Sequence, residues 1–301
     1  MQGIRKLGTV QENLVEVSPF VFNGELLMFE SVRERTPDNT RGGKHYLRLR
    51  RFPDGNRDVT SREEFAAMEV ITEFGEGFTF GVPFVHDGTV YIYATLHFKP
   101  ETDDVHVFWS SDLKTWQERV AVRGENERLY NTSVCQDGSG RFIMAIETND
   151  RRWPAFTIRF AESTDLINWR KLPIDEALYG TDRYTACPSI RWIDGHYAMV
   201  CLEMPRGKTL DARPGQPGWW FEEFAARSKD LLHWEPAAAN PIIAPEPDGS
   251  ENINTSDIDF CEFDGKTIIY YAWGSQTGEE YLSHAVYEGS EADFVRAWFT
   301  R

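Results

Sequence analysis

The sequence has no long apolar run: nothing in its 301 residues approaches the roughly 20 consecutive apolar positions that a membrane-spanning helix needs. Its opening, MQGIRKLGTVQENLVEV, lacks the apolar stretch of a secretory leader. Cysteine is scarce: Cys135, Cys187, Cys201 and Cys261 lie far apart and form no CxxC pair. That spacing favours buried free thiols over disulfide bridges or metal binding. Basic charge is short as well, with 32 Lys and Arg against 48 Asp and Glu and a formal net charge of -16. Such a balance repels a phosphate backbone or an anionic bilayer, so neither nucleic acid nor membrane is an expected partner; without an apolar leader or a spanning run, the expected location is cytoplasmic. No GxGxxG, P-loop, HExxH or GxSxG stands where it would support nucleotide, zinc or serine chemistry. No cofactor and no metal site are therefore expected, and a central structural ion stays an open alternative.

What is abundant is aromatic: 10 Trp, 11 Tyr and 20 Phe make 14% of the chain, which suits layered sheets or surfaces that stack on sugar rings. Three segments spell S-x-D-L-x-x-W, namely Ser110 to Trp116, Ser163 to Trp169 and Ser228 to Trp234. In this pattern Ser and Asp side chains can bond the amides of a tight turn, Leu plugs inward and Trp packs on a neighbouring sheet. Each copy follows a strand-like run (VHVFWS, FTIRFAE, FEEFAAR).

A second unit recurs five times, a short apolar strand, a Gly-containing turn and a longer apolar strand: from Ser18, Val82, Thr132, Cys187 and Ser256. Asn23-Gly24, Asp87-Gly88, Asp194-Gly195 and Asp264-Gly265 are strong hairpin signals. Five hairpins with third strands predict an all-β fold, a single five-bladed β-propeller over 1–301, with blades near 12–60, 78–120, 128–172, 183–236 and 252–298. A long β-sandwich is the alternative, and it leaves the period unexplained. The N-terminal residues are expected to complete the last sheet and close the ring.

In a propeller the start of each first strand and the end of each second strand share a rim. That reading gathers Ser18 and Glu30, His97, Asn131 and Glu147, Cys187 and Glu203, and Thr255, Asp257, Asp259 and Trp273. Glu30, Glu147 and Glu203 each end an apolar run, where a buried unpaired carboxylate would be costly. Rim loops add Arg33, Arg35, Arg41, Arg151, Arg206 and Arg213, which either meet an anionic group on a ligand or neutralise the carboxylates.

The S-x-D-L-x-x-W turns and the hairpins PFVHDGTVYIYATLH and SDIDFCEFDGKTIIYYAWG resemble the blades of five-bladed-propeller glycosidases, a group with glycoside hydrolase families 43, 32, 62 and 117 and the family 130 phosphorylases. The resemblance spans nearly the whole chain. In family 43 it implies an Asp base at the start of blade one, a pKa-tuning Asp on blade three and a Glu acid on blade four. This sequence departs at all three, offering Val17-Ser18-Pro19, Tyr130-Asn131-Thr132 and Thr185-Ala186-Cys187-Pro188.

The expected activity is therefore exo-acting hydrolysis of short oligosaccharides by a relocated carboxyl pair, with Asp257 as base, Glu203 as acid and Glu147 as tuner or alternative acid. Glu30, Arg33, His97, Asn131, Arg151, Thr255 and Trp273 are the expected substrate-binding residues. A glycoside phosphorylase and a non-catalytic sugar-binding propeller are the alternatives. The sugar, the anomeric outcome and the oligomeric state are not encoded in readable form.

Overall fold

The hairpins form where the turn pairs allow both central residues to take left-handed backbone angles. Asn23, Asp87, Asp194 and Asp264 have φ between 45° and 52°, and Gly24, Gly88, Gly195 and Gly265 have φ between 68° and 80°. Such turns match the right-handed twist of the strands that they join. The computed structural model describes residues 3–36, 43–53, 59–96, 104–153, 155–204, 220–275 and 279–300.

Strand β1 (Ile4–Glu12) comes first, followed by blade one: β2 (Val17–Phe22), β3 (Glu25–Arg33), β4 (His45–Arg51), the short helix α1 (Arg62–Ala66) and β5 (Glu69–Phe74). Blade two is β6 (Phe78–His86), β7 (Thr89–Leu96), β8 (Val105–Ser110) and β9 (Gln117–Val122). Blade three is β10 (Leu129–Gln136), β11 (Phe142–Thr148) and β12 (Thr157–Ser163), with β13 (Arg170–Lys171) and β14 (Leu178–Tyr179) both paired to β12. Blade four is β15 (Thr185–Ile193), β16 (His196–Glu203), β17 (Glu222–Ser228) and β18 (Trp234–Pro236). Blade five is β19 (Thr255–Phe263), β20 (Lys266–Gly274) and β21 (Glu280–Tyr287).

Its fourth strand is β1, antiparallel to β21 with Ile4 opposite Tyr287 and Glu12 opposite Tyr281. The two ends of the chain thus close the ring in one sheet, and the fold is a five-bladed β-propeller. Residues 291–298, inside the expected fifth unit, are helix α2 (Glu291–Trp298), capped by Ser290. It buries Phe294, Val295 and Trp298 in the core between blades four and five.

The core is a ring of apolar seams, one at each blade interface. Phe29, Leu49 and Ile92 pack between blades one and two, Tyr93 and Met144 between two and three, and Phe160 and Met199 between three and four. Val200 and Phe260 fill the next seam, and Met28 with Tyr270 joins blade five to blade one.

The S-x-D-L-x-x-W turns fasten these seams. Ser163 Oγ accepts the amides of Asp165 and Leu166, at 3.1 and 3.0 Å, and Asp165 Oδ1 accepts those of Ile167 and Asn168, at 2.9 and 2.7 Å. This network holds Leu166 at φ 63° and plugs its buried side chain into the seam with blade two. Trp169 then meets Tyr93 of blade two edge to face at 5.5 Å, and Trp234 stacks over Phe160 of blade three at 5.7 Å.

Candidate active site

The five inner strands start on one rim, and four of them carry a bulge there. Pairing breaks between Thr79 and Val82, Leu129 and Thr132, Ala186 and Ser189, and Ser256 and Asp259. Seven residues ahead of the turn residues Asn23, Asp87, Asp137, Asp194 and Asp264 stand Glu16, Phe80, Tyr130, Cys187 and Asp257. Phe80, Tyr130, Cys187 and Asp257 are the first bulged residue of their blades, and Glu16 stands just ahead of the unbulged strand of blade one. Phe80, Cys187 and Asp257 have φ of 57°, 48° and 56° there, the kind of bulge that re-aims a side chain. The floor of the funnel is a cavity of about 40 Å³ whose lining includes Glu16, Gly81, Asn131, Cys187 and Asp257.

Glu147, near the end of β11, reaches this floor from the second strand of blade three. Its Oε2 accepts from Asn131 Nδ2 at 2.9 Å and from the Cys187 amide at 3.0 Å. Among the described residues no donor meets Oε1. Burial pushes the Glu147 carboxyl up to about 7 against the pull of those two donors, and the nearby Asp257 charge adds to the rise. The Cys187 thiol, pushed up by burial and by Asp257 and Glu147, stays protonated between them. Asn131 Nδ2 also approaches its Sγ, at 3.2 Å.

The wall is aromatic and cationic. Phe80, Tyr130, Phe156 and Tyr184 touch in sequence edge to face, with centroids 5.5, 5.2 and 5.2 Å apart. Arg33 lies over Phe80 at 4.9 Å, pairs with Glu16 and donates through Nε to Thr79 Oγ1 at 3.2 Å. Glu16 Oε2 accepts the Phe80 amide at 3.1 Å. Burial lowers the Arg33 pKa, while Asp257, Cys187 and Glu147 oppose the shift. Tyr184 adds a partly buried phenol that feels the same three groups.

Of the residues singled out in the sequence, the structure brings Asp257, Glu147, Asn131, Cys187 and Arg33 together, sets Ser18 and Asp259 on the lining of the same cavity, and separates Glu30, Glu203, Thr255, Trp273 and Arg151 from them. Glu30 is not at a strand end, because β3 continues to Arg33. It is fully buried and held by Arg48 Nε and Arg50 Nε, each at 2.7 Å. Glu203 is buried with Oε1 accepting from Tyr179 and Arg183 and Oε2 from Arg183, so neither oxygen is open to a sugar. Thr255 is buried and donates to the Ile243 carbonyl at 3.0 Å. Trp273 stacks on Tyr281 at 4.2 Å, and its indole N–H is taken by Thr9 and Ser283. Arg151 is exposed and lines a separate groove beside Glu127 and Lys171. Asp259, further down the channel, is held by Ser189 and Arg191, both at 3.0 Å. His97, Arg41, Arg206 and Arg213 lie outside the described residues.

Glu16 and Tyr184 were not singled out in the sequence. Counting back from the hairpin turns finds the first; no sequence signal marks the second. Exchanging Glu203 for Gln should leave any sugar-releasing turnover within about threefold of the parent, since the carboxylate is engaged elsewhere. Stability measured by denaturant unfolding should fall by about 3 kcal/mol, because Arg183 is left without its buried counterion. A loss of turnover without a loss of stability would return Glu203 to the catalytic set.

No protein-family model matches the chain, and no curated protein matches it. Solved structures do. A thermostable family-43 glycoside hydrolase superposes with a TM-score of 0.67 at 10% identity, covering 95% of this chain and 93% of its own. A glycosyl hydrolase from Bacteroides ovatus gives 0.61 at 14% identity, with 92% and 84% covered. An α-L-arabinanase from Penicillium chrysogenum, complexed with arabinobiose, gives 0.56 at 12% identity, with 91% and 76% covered. The chain thus shares the five-bladed propeller of these hydrolases, at identities where likeness speaks for the fold alone.

Proposed function

We propose that the protein is an exo-acting glycoside hydrolase that releases a neutral terminal sugar from short oligosaccharides, with Glu147 as general acid and Asp257 as general base. The observation that carries this is the environment of Glu147. The Asn131 amide and the Cys187 amide and thiol fix Oε2 as an acceptor, which leaves Oε1 to hold the proton, and a midpoint near 7 keeps about half of the acid protonated at neutral pH and most of it below. The proton passes to the glycosidic oxygen as the C–O bond breaks, and Asp257 takes a proton from the water that attacks the anomeric carbon. Glu147 is only 5% exposed, so a chain end reaches it more readily than a chain interior does.

A neutral sugar and water suit this funnel better than a uronate or phosphate. Arg33 is matched by Glu16 and Arg35 by Glu280, at 2.7 Å for the second pair, so these cations leave no surplus positive charge for an anion. Hydrolysis is therefore favoured over phosphorolysis.

The test is sugar release from a panel of oligosaccharides, with and without inorganic phosphate, across pH. Release independent of phosphate is expected, half of maximal near pH 7 and falling toward tenfold per unit above it, because the acid must stay protonated. A sugar phosphate product, binding without release, or activity that rises through pH 7 would each overturn the reading.

A further inference from the structure

We propose that Glu223 is a positioning residue: from the third strand of blade four it holds the bulge of blade five that carries Asp257. The proposal rests on the reading of Asp257 as the base. Asp257 and Ile258 sit where β19 and β20 lose register, between Ser256 and Asp259, and the Ile258 amide donates to Glu223 Oε1 at 3.1 Å. Glu223 itself cannot drift. Its backbone pairs with Leu202 on one side and bridges Ile243 on the other, with N–H donating to Ile243 O at 3.1 Å and its carbonyl accepting from Ile242 at 2.7 Å.

The other bulges show that filling this role does not require a carboxyl. At the equivalent position of blade two, the Gly81 amide donates to the Ser31 hydroxyl at 3.0 Å. In blade four the residue is Pro188, which has no amide hydrogen. Blade five instead uses a fully buried carboxyl whose Oε2 has no partner among the described residues, an arrangement that costs stability. Burial, with the Asp257 charge beside it, raises the Glu223 pKa well above its ordinary value. Glu223 thus accepts through Oε1, and its burial beside Asp257 disfavours a second full charge next to the base. The Asp257 charge is in turn one of the groups that Glu147 feels, together with Asn131 and Cys187, and the partly buried Tyr184 and Arg33 feel both carboxyls.

Glu223→Gln keeps a neutral acceptor, whereas Glu223→Met fills the same space without one, and Glu223→Ala is a second acceptor-free variant. Two readouts are compared: kcat and KM for sugar release, and the titration of Glu147 followed by carboxyl 13C NMR. Glu223→Gln should keep kcat within about threefold and the Glu147 midpoint near 7. The acceptor-free variants should lose about 100-fold in kcat with KM nearly unchanged, and their Glu147 midpoint should fall as the Asp257 charge moves away. Parental kcat and titration in a folded acceptor-free variant would overturn the proposal. So would a Glu223→Gln loss as large as theirs, which would demand an ionisable proton. If the parent releases no sugar, the hydrolase reading fails and the titration alone decides the role of Glu223.

Discussion

Glu147→Gln should lower kcat by about a thousandfold on oligosaccharides, with KM little changed, because an amide cannot protonate the departing sugar. The substitution conserves shape, and the amide oxygen can still accept from Asn131 Nδ2 and the Cys187 amide. The deficit should therefore shrink on aryl glycosides whose leaving group departs without protonation. A loss independent of the leaving group would mean that Glu147 does something other than donate a proton.

Asp257→Asn should cost a similar factor, about a thousandfold, on every substrate, since activation of water is needed whatever the leaving group is. The two variants are thus separable by chemistry as well as by position. Removing the Asp257 charge also removes one cause of the raised Glu147 pKa. Whatever residual activity survives should lose its alkaline limb to lower pH. A residual activity whose alkaline limb stayed near pH 7 would show that the two carboxyls do not feel one another.

The propeller was legible because its signals are local and repeated. Turn pairs that need two left-handed residues, and turns in which Ser and Asp bond nearby amides, are written in consecutive residues. Asp257 and Asn131 could be placed on the rim for the same reason, since they crowd strand starts that the hairpins locate. Glu16 escaped because blade one has no bulge and its apolar run opens at Val17, although the seven-residue spacing from Asn23 points to it. Glu30 and Glu203 looked like rim carboxylates because each ends an apolar run. Their partners decide otherwise: Arg48 and Arg50 project from one face of the neighbouring strand, and Arg183 comes from the segment ahead of β15.

Glu223 was unreadable for a different reason. In FEEFAAR the alternation looks like a half-solvated strand, whereas Ile243 bridges the strand's edge and the Ile258 amide of blade five meets the Glu223 side chain. Trp273 promised a stacking surface, and Tyr281, opposite it on the next strand, already occupies its ring. Long-range pairing settles these positions, and a single sequence does not display it.

The most direct test is the structure of Asp257→Asn with an uncleaved oligosaccharide bound. The terminal sugar should lie in the funnel with its glycosidic oxygen about 2.6–3.2 Å from Glu147 Oε1. A sugar seated outside the ring of Glu16, Phe80, Tyr130, Cys187 and Asp257, or one whose glycosidic oxygen meets Glu203 instead, would contradict the assignment.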